Sequence, residues 1–114
     1  MSNRVEKVNS LLEREINNIF LKDFNFPDGV LVTLTYVAAT TNLIEAKVYI
    51  SIYPENRAGE VMKFLGRAVY VIQKKVNKRL KMRPIPKIIF VFDKQGAKAG
   101  RVEELLSQLK NQEK

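Results

Sequence analysis

Nine cationic side chains and not one carboxylate occupy positions 61–92: Lys63, Arg67, Lys74, Lys75, Lys78, Arg79, Lys81, Arg83 and Lys87. The formal charge of the whole chain is +8, and the basic residues outside this block nearly cancel the 12 acidic ones. Charge spread for solubility alone would not be confined in this way, so the block implies a polyanionic partner, with nucleic acid first. Ammonium and guanidinium groups contact phosphate oxygens, which gives affinity with little sequence information.

Other chemistries find little support. The chain has no His and no Cys, which excludes imidazole catalysis, thiolate chemistry, disulfides and His-ligated metals. Glu45, Glu55, Glu60 and Asp93 are scattered, with no close pair at metal-binding spacing. Gly96-Ala97-Lys98-Ala99-Gly100 contains glycines but lacks the Walker pattern, and reads as a turn and helix start. The expectation is a protein without catalytic activity, cofactor or small-molecule substrate. No apolar run approaches a membrane span, and the first residues form no signal-peptide stretch, so a cytoplasmic location is expected.

At 114 residues the chain suits one domain with a single core. That domain is expected over 1–110, with 111–114 as a frayed tail and a monomer as the simplest state. Val5, Val8, Leu12, Ile16, Ile19 and Phe20 recur at helical spacing, predicting a first helix from Ser2 or Asn3 to about Lys22. Asn25-Phe26-Pro27-Asp28-Gly29 is turn chemistry. Strands are predicted over 30–37 and 43–53, joined as an antiparallel hairpin through Ala39-Thr40-Thr41-Asn42. In the second, Ile44, Ala46, Val48, Ile50 and Ile52 make the dry face, and Glu45, Lys47, Tyr49 and Ser51 the wet one.

Pro54 ends that strand, and Glu55-Asn56 opens a long helix to about Met82, where Arg83-Pro84 stops it. Its apolar stripe is Val61, Leu65, Ala68, Ile72, Val76 and Leu80. At about 100° per residue, Lys63, Arg67, Lys74, Lys78 and Lys81 align roughly opposite, with Lys75 and Arg79 toward one flank. A third strand over 85–92 is apolar on both sides and so expected to be covered on both. A turn at Asp93-Lys94-Gln95-Gly96 and a short helix over 99–109 complete the order α-β-β-α-β-α. The predicted fold is a small α+β sandwich, with helices on one face of a three-stranded sheet.

That order, filled with these residues, resembles the bacterial ribosome-binding factor A family over nearly the whole chain. Val32-Thr33-Leu34-Thr35-Tyr36-Val37 is similar to the family's first strand. Asn42-Leu43 and Ala46-Lys47-Val48-Tyr49-Ile50-Ser51 are similar to its second. Arg83-Pro84-Ile85-Pro86-Lys87-Ile88-Ile89-Phe90-Val91-Phe92-Asp93 is similar to its third, and Gly100-Arg101-Val102-Glu103-Glu104-Leu105-Leu106 to its last helix. The resemblance implies a KH-like domain of the second type. It also implies binding to the small (30S) ribosomal subunit and its 16S rRNA during late maturation and rRNA processing, with a role in the cold.

Two positions depart from the family pattern, and one feature departs from ordinary KH domains. Members carry an Ala-x-Gly element that kinks the long helix; here it reads Ala68-Val69-Tyr70. No Gly-x-x-Gly is present, so the usual KH clamp on nucleotides is missing. Asn42 stands where the family has Asp. Among the tyrosines that could stack on bases, Tyr36, Tyr49, Tyr53 and Tyr70, the last is the one to test.

The competing readings of the basic block are a solvated face, a protein-interaction module on the ribosome and a general single-strand RNA chaperone. Arg4, Lys7 and Arg14 sit among Glu6, Glu13 and Glu15, which makes a neutral face there. Arg57 opens the long helix at the end its dipole disfavours, so either a phosphate contact or a frayed first turn is expected.

Overall fold

The computed structural model describes residues 2–82 and 84–94. The order is α1 (Ser2–Asp23), β1 (Leu31–Ala39), β2 (Glu45–Tyr53), a 3-10 turn (Glu55–Arg57), α2 (Ala58–Arg79) and β3 (Lys87–Phe92). The sheet is mixed. β1 and β2 form an antiparallel hairpin, and β3 lies parallel to β2, which is central. β2 and β3, being parallel neighbours, need a crossover, and α2 supplies it. The helix expected over 99–109, like Arg83, lies outside the described residues.

The apolar periodicity of α1 is realised: Val8, Leu12, Ile16, Ile19 and Phe20 are buried and Val5 packs against them. Ala46, Val48, Ile50 and Ile52 of β2 point into the same core. α1 lies on β1, α2 lies on β3, and the two helices touch. Both helices therefore cover one face of the sheet.

Four local features differ from the sequence expectation. β1 carries a bulge between Leu34 and Tyr36. The extra residue, Thr35, shifts the inward phase from Val32 and Leu34 to Val37 and Ala39. Its hydroxyl lies 3.1 Å from the Tyr49 carbonyl and 3.3 Å from the Asp93 carboxylate, so the bulge anchors the end of β3. Ile44 is 63% exposed rather than inward; Leu43 is buried in its place, at φ 60°. The turn that allows this is closed by Asn42 Oδ1, which accepts from the Ile44 amide at 3.1 Å and from the Thr40 hydroxyl at 2.6 Å. An Asp would offer the same oxygen.

β3 is an edge strand; Ile88 is buried, Lys87 is exposed and the other four of its six residues are partly buried rather than covered on both faces. Its outward groups at the start are met by one side chain. Gln73 donates to the Pro86 carbonyl at 3.2 Å and accepts from the Ile88 amide at 2.8 Å. This carboxamide ties α2 to β3. Gln73→Leu keeps the bulk but strands both backbone groups, and is expected to cost about 1–3 kcal/mol. A thermal melt lowered by about 4–8 °C per kcal/mol would register it.

Finally, α2 starts later and ends earlier than expected. Leu80 is extended, its amide bonded to the Val76 carbonyl at 2.9 Å, so Lys81 lies beyond the helix. At the other end Arg57 is neither frayed nor free. It pairs with Glu60 at 2.9 Å and donates to the Asp28 carbonyl. Gly29 sits in that turn at φ +83°, where an added Cβ would lie 3.1 Å from the Arg57 guanidinium. The half-buried rings of Phe24 and Phe26 in the same loop meet Phe64 of α2 edge-on, at 6.1 and 5.5 Å.

Candidate nucleic-acid interface

The cationic block separates into groups by where each element sends its side chains. Lys63, Arg67, Lys74 and Lys78 are exposed along the side of α2 turned away from the core. None of them pairs with a carboxylate among the described residues. The rise of an α-helix spreads them over about 22 Å. Tyr70 stands in this row, 69% exposed. The ammonium of Lys74 sits 5.5 Å from its ring centre, a cation–π contact.

Lys75 and Arg79, expected on the flank, turn toward α1 and meet acids there. Lys75 lies 3.5 Å from Asp23, and Arg79 lies 3.8 Å from Glu15. The Glu15 Oε1 atom is buried without a hydrogen-bond partner. Arg79 therefore supplies the compensating charge for a largely buried carboxylate, and these two cations join helices. Reading the block alone missed this, because the acids lie far upstream in the sequence. The available signal was angular: at about 100° per residue Glu15 lies at the edge of the apolar stripe of α1 and Lys75 at that of α2, while Asp23 and Arg79 fall in line with the stripes near the helix ends.

The remaining cations are dispersed. Lys81 is exposed in the extended segment after α2. Lys87 opens β3 opposite Glu45. Strand alternation places it on the sheet face away from the helices, since its neighbour Ile88 is inward. Lys87 is thus not brought together with the α2 row. Ala68, Val69 and Tyr70, expected from the resemblance to be the place of a kink, lie within α2, which is assigned as one helix from Ala58 to Arg79.

Near the start of α2, the Arg57 guanidinium holds the Glu60 carboxyl below the usual carboxylate range, chiefly by their hydrogen bond, and Glu60 raises Arg57. Glu60 thereby neutralises Arg57, so that within α2 and its first turn the cations without an ion pair among the described residues are those of the outward row. Among the described residues no group of three or more acids, His or Cys is placed to hold a metal ion. No helix among them is long and apolar enough to cross a membrane.

These features define a small basic α+β domain whose crossover helix presents cations outward from a well-packed core. The chain belongs to the ribosome-binding factor A family: the model of that family matches residues 4–106. Ribosome-binding factor A of Chlorobaculum tepidum is 38% identical over 113 residues, spanning 96% of this chain and 93% of its own. That of Halothermothrix orenii is 32% identical over 111 residues, spanning 96% and 91%. The crystal structure of ribosome-binding factor A from Thermus thermophilus matches in fold. Its TM-score is 0.63 at 19% identity, covering 76% of this chain and 93% of that one. The family is named for what its members bind rather than for a reaction.

Proposed function

We propose that this chain is a non-catalytic ribosome assembly factor that binds the small ribosomal subunit and its 16S rRNA during late maturation and rRNA processing. The observation that carries this reading is the exposed row Lys63, Arg67, Lys74 and Lys78, with no acid in the intervening helix. The names of the relatives agree with it. In this mechanism α2 lies against folded RNA as a rigid basic edge, and Lys81 continues the charge beyond the helix. Phosphate contacts fix position, and shape rather than sequence is read. The factor acts in the cytoplasm as a monomer, with its greatest importance in the cold.

An assembly role requires more than binding. The domain must prefer the immature particle, because a ligand shifts an equilibrium only by its difference in affinity for the two states. It then dissociates as the mature arrangement forms.

The test is sedimentation with immature small subunits, mature small subunits and large subunits across a salt series. Preference for immature small subunits is expected, with each phosphate contact adding roughly 0.7–0.9 to the log–log salt slope. Equal binding to all three particles would instead favour a general RNA chaperone. Binding that survives high salt and fails with purified rRNA would favour a protein-interaction module.

A further inference from the structure

We infer that Tyr70 is a stacking platform for one unpaired RNA base, so that the RNA docked on α2 carries a bulge, loop or strand end at that point. This rests on the RNA-docking reading above and deepens it.

An exposed tyrosine alone is ordinary; its setting is what matters here. Tyr70 interrupts a row of cations, with Arg67 one turn before it and Lys74 one turn after. The residue is 69% exposed, between the cations of the row on one side and the 45% exposed Val71 on the other. Lys74 lies over the ring at 5.5 Å. That contact covers one face of the ring, and the exposure of the residue leaves ring surface open to solvent. The side chain serves no packing role that would explain an aromatic group, since the core residues of α2 are Ala58, Val61, Leu65, Ile72 and Val76. A tyrosine here has two rotatable angles and a broad apolar surface, so a base can stack on it at low entropic cost.

The flanking cations set the kind of RNA. A fully paired A-form duplex keeps its bases stacked inside and offers this ring only backbone and 2′-hydroxyls. A base displaced from the stack can reach the ring while its neighbouring phosphates meet Arg67 and Lys74. The four cations would then contribute affinity, and Tyr70 would select for an unpaired nucleotide.

The experiment compares a fully paired RNA hairpin with the same hairpin carrying one unpaired 2-aminopurine. Both are titrated with the wild-type protein and with Tyr70→Phe, Tyr70→Leu and Tyr70→Ala, across a salt series. A stacked base predicts tighter binding of the bulged RNA by about 5- to 150-fold and quenched 2-aminopurine emission. Tyr70→Phe keeps both effects. Tyr70→Leu and Tyr70→Ala lose both, so that they bind the bulged and the paired hairpin alike, with the salt slope unchanged.

Equal losses on the two RNAs would overturn the inference and reduce Tyr70 to a support for Lys74. Equal wild-type affinity for the two RNAs, with a steep salt slope, would also overturn it while leaving the docking reading standing. Failure of the wild-type protein to bind either RNA would remove the docking reading, and the stacking inference with it.

Discussion

Lys74→Glu combined with Lys78→Glu is expected to abolish co-sedimentation with small ribosomal subunits while leaving the domain folded. Both side chains are exposed and neither pairs with a carboxylate among the described residues, so their removal costs the core nothing. Each reversal turns an attraction of about 1 kcal/mol at a phosphate into a repulsion of similar size in a water-like dielectric. Together they amount to on the order of 4 kcal/mol, or about a thousandfold in affinity. Lys78 lies in the last turn of α2, where Glu opposes the helix dipole. A stability loss of up to about 1 kcal/mol is therefore expected as well. Gln in place of both lysines is the milder version, and should lower the salt slope by roughly 1.4–1.8. Lys75→Gln and Arg79→Gln serve as the contrast. They deprive Asp23 and Glu15 of their partners, so they should lower the melting temperature and leave most of the affinity intact. Wild-type sedimentation by the double Glu variant would remove the outer face of α2 from the interface. Lost binding in the Lys75 and Arg79 variants at unchanged stability would move the interface to the α1–α2 flank.

That contrast shows where sequence periodicity succeeds and where it stops. The helices and the central strand were legible because each has one wet face and one dry face. The burial of Leu12, Ile16 and Ile19, and of Ala46, Val48, Ile50 and Ile52, follows the residue spacing. The row Lys63, Arg67, Lys74 and Lys78 was legible for the same reason. Features that depend on a partner distant in sequence were hidden. Arg57 looked badly placed until the Asp28 turn, 29 residues upstream, came beside it; its other partner, Glu60, is local. Nothing local marks Gln73 as the residue that closes the start of β3.

Two further departures had signals that a uniform strand pattern overrides. In β1 the apolar residues change phase between Leu34 and Val37, which is the mark of the bulge at Thr35. In β3 unbroken apolar sequence implied full cover on both faces, yet Ile89, Phe90, Val91 and Phe92 are all only partly buried. The end of α2 illustrates a third limit. Pro84 disfavours helix just before itself, but the chain leaves the helix at Leu80, where that side chain can still reach the core.

The interface depends on that core, and Ile72→Asp tests the connection. Ile72 is 0% exposed, in the middle of the buried stripe of α2. Removing its branched side chain should cost about 2–5 kcal/mol, as large-to-small changes in packed cores do. The carboxylate adds a second cost, because no cation lies among the described buried residues to pair with it. The total approaches or exceeds the roughly 5–15 kcal/mol that holds an ordinary domain folded, so the variant is expected to be unfolded at neutral pH. Ile72→Val, by comparison, should cost about 0.5–1.5 kcal/mol and stay folded. The charge component has a pH signature of definite sign. Burial would raise the folded-state pKa of the introduced carboxyl above its unfolded value of about 3.9, so protonation favours the folded state. Helical circular dichroism should therefore recover in part as the pH falls from neutral toward about 4.5. Acid should have little such benefit for Ile72→Ser, which carries the cavity without the charge. A wild-type melt for Ile72→Asp at neutral pH would mean that this side of α2 is not packed on the sheet. Lys63, Arg67, Lys74 and Lys78 lie opposite the buried stripe on the same helix, so their outward placement, and the RNA-facing role built on it, would fall with that result.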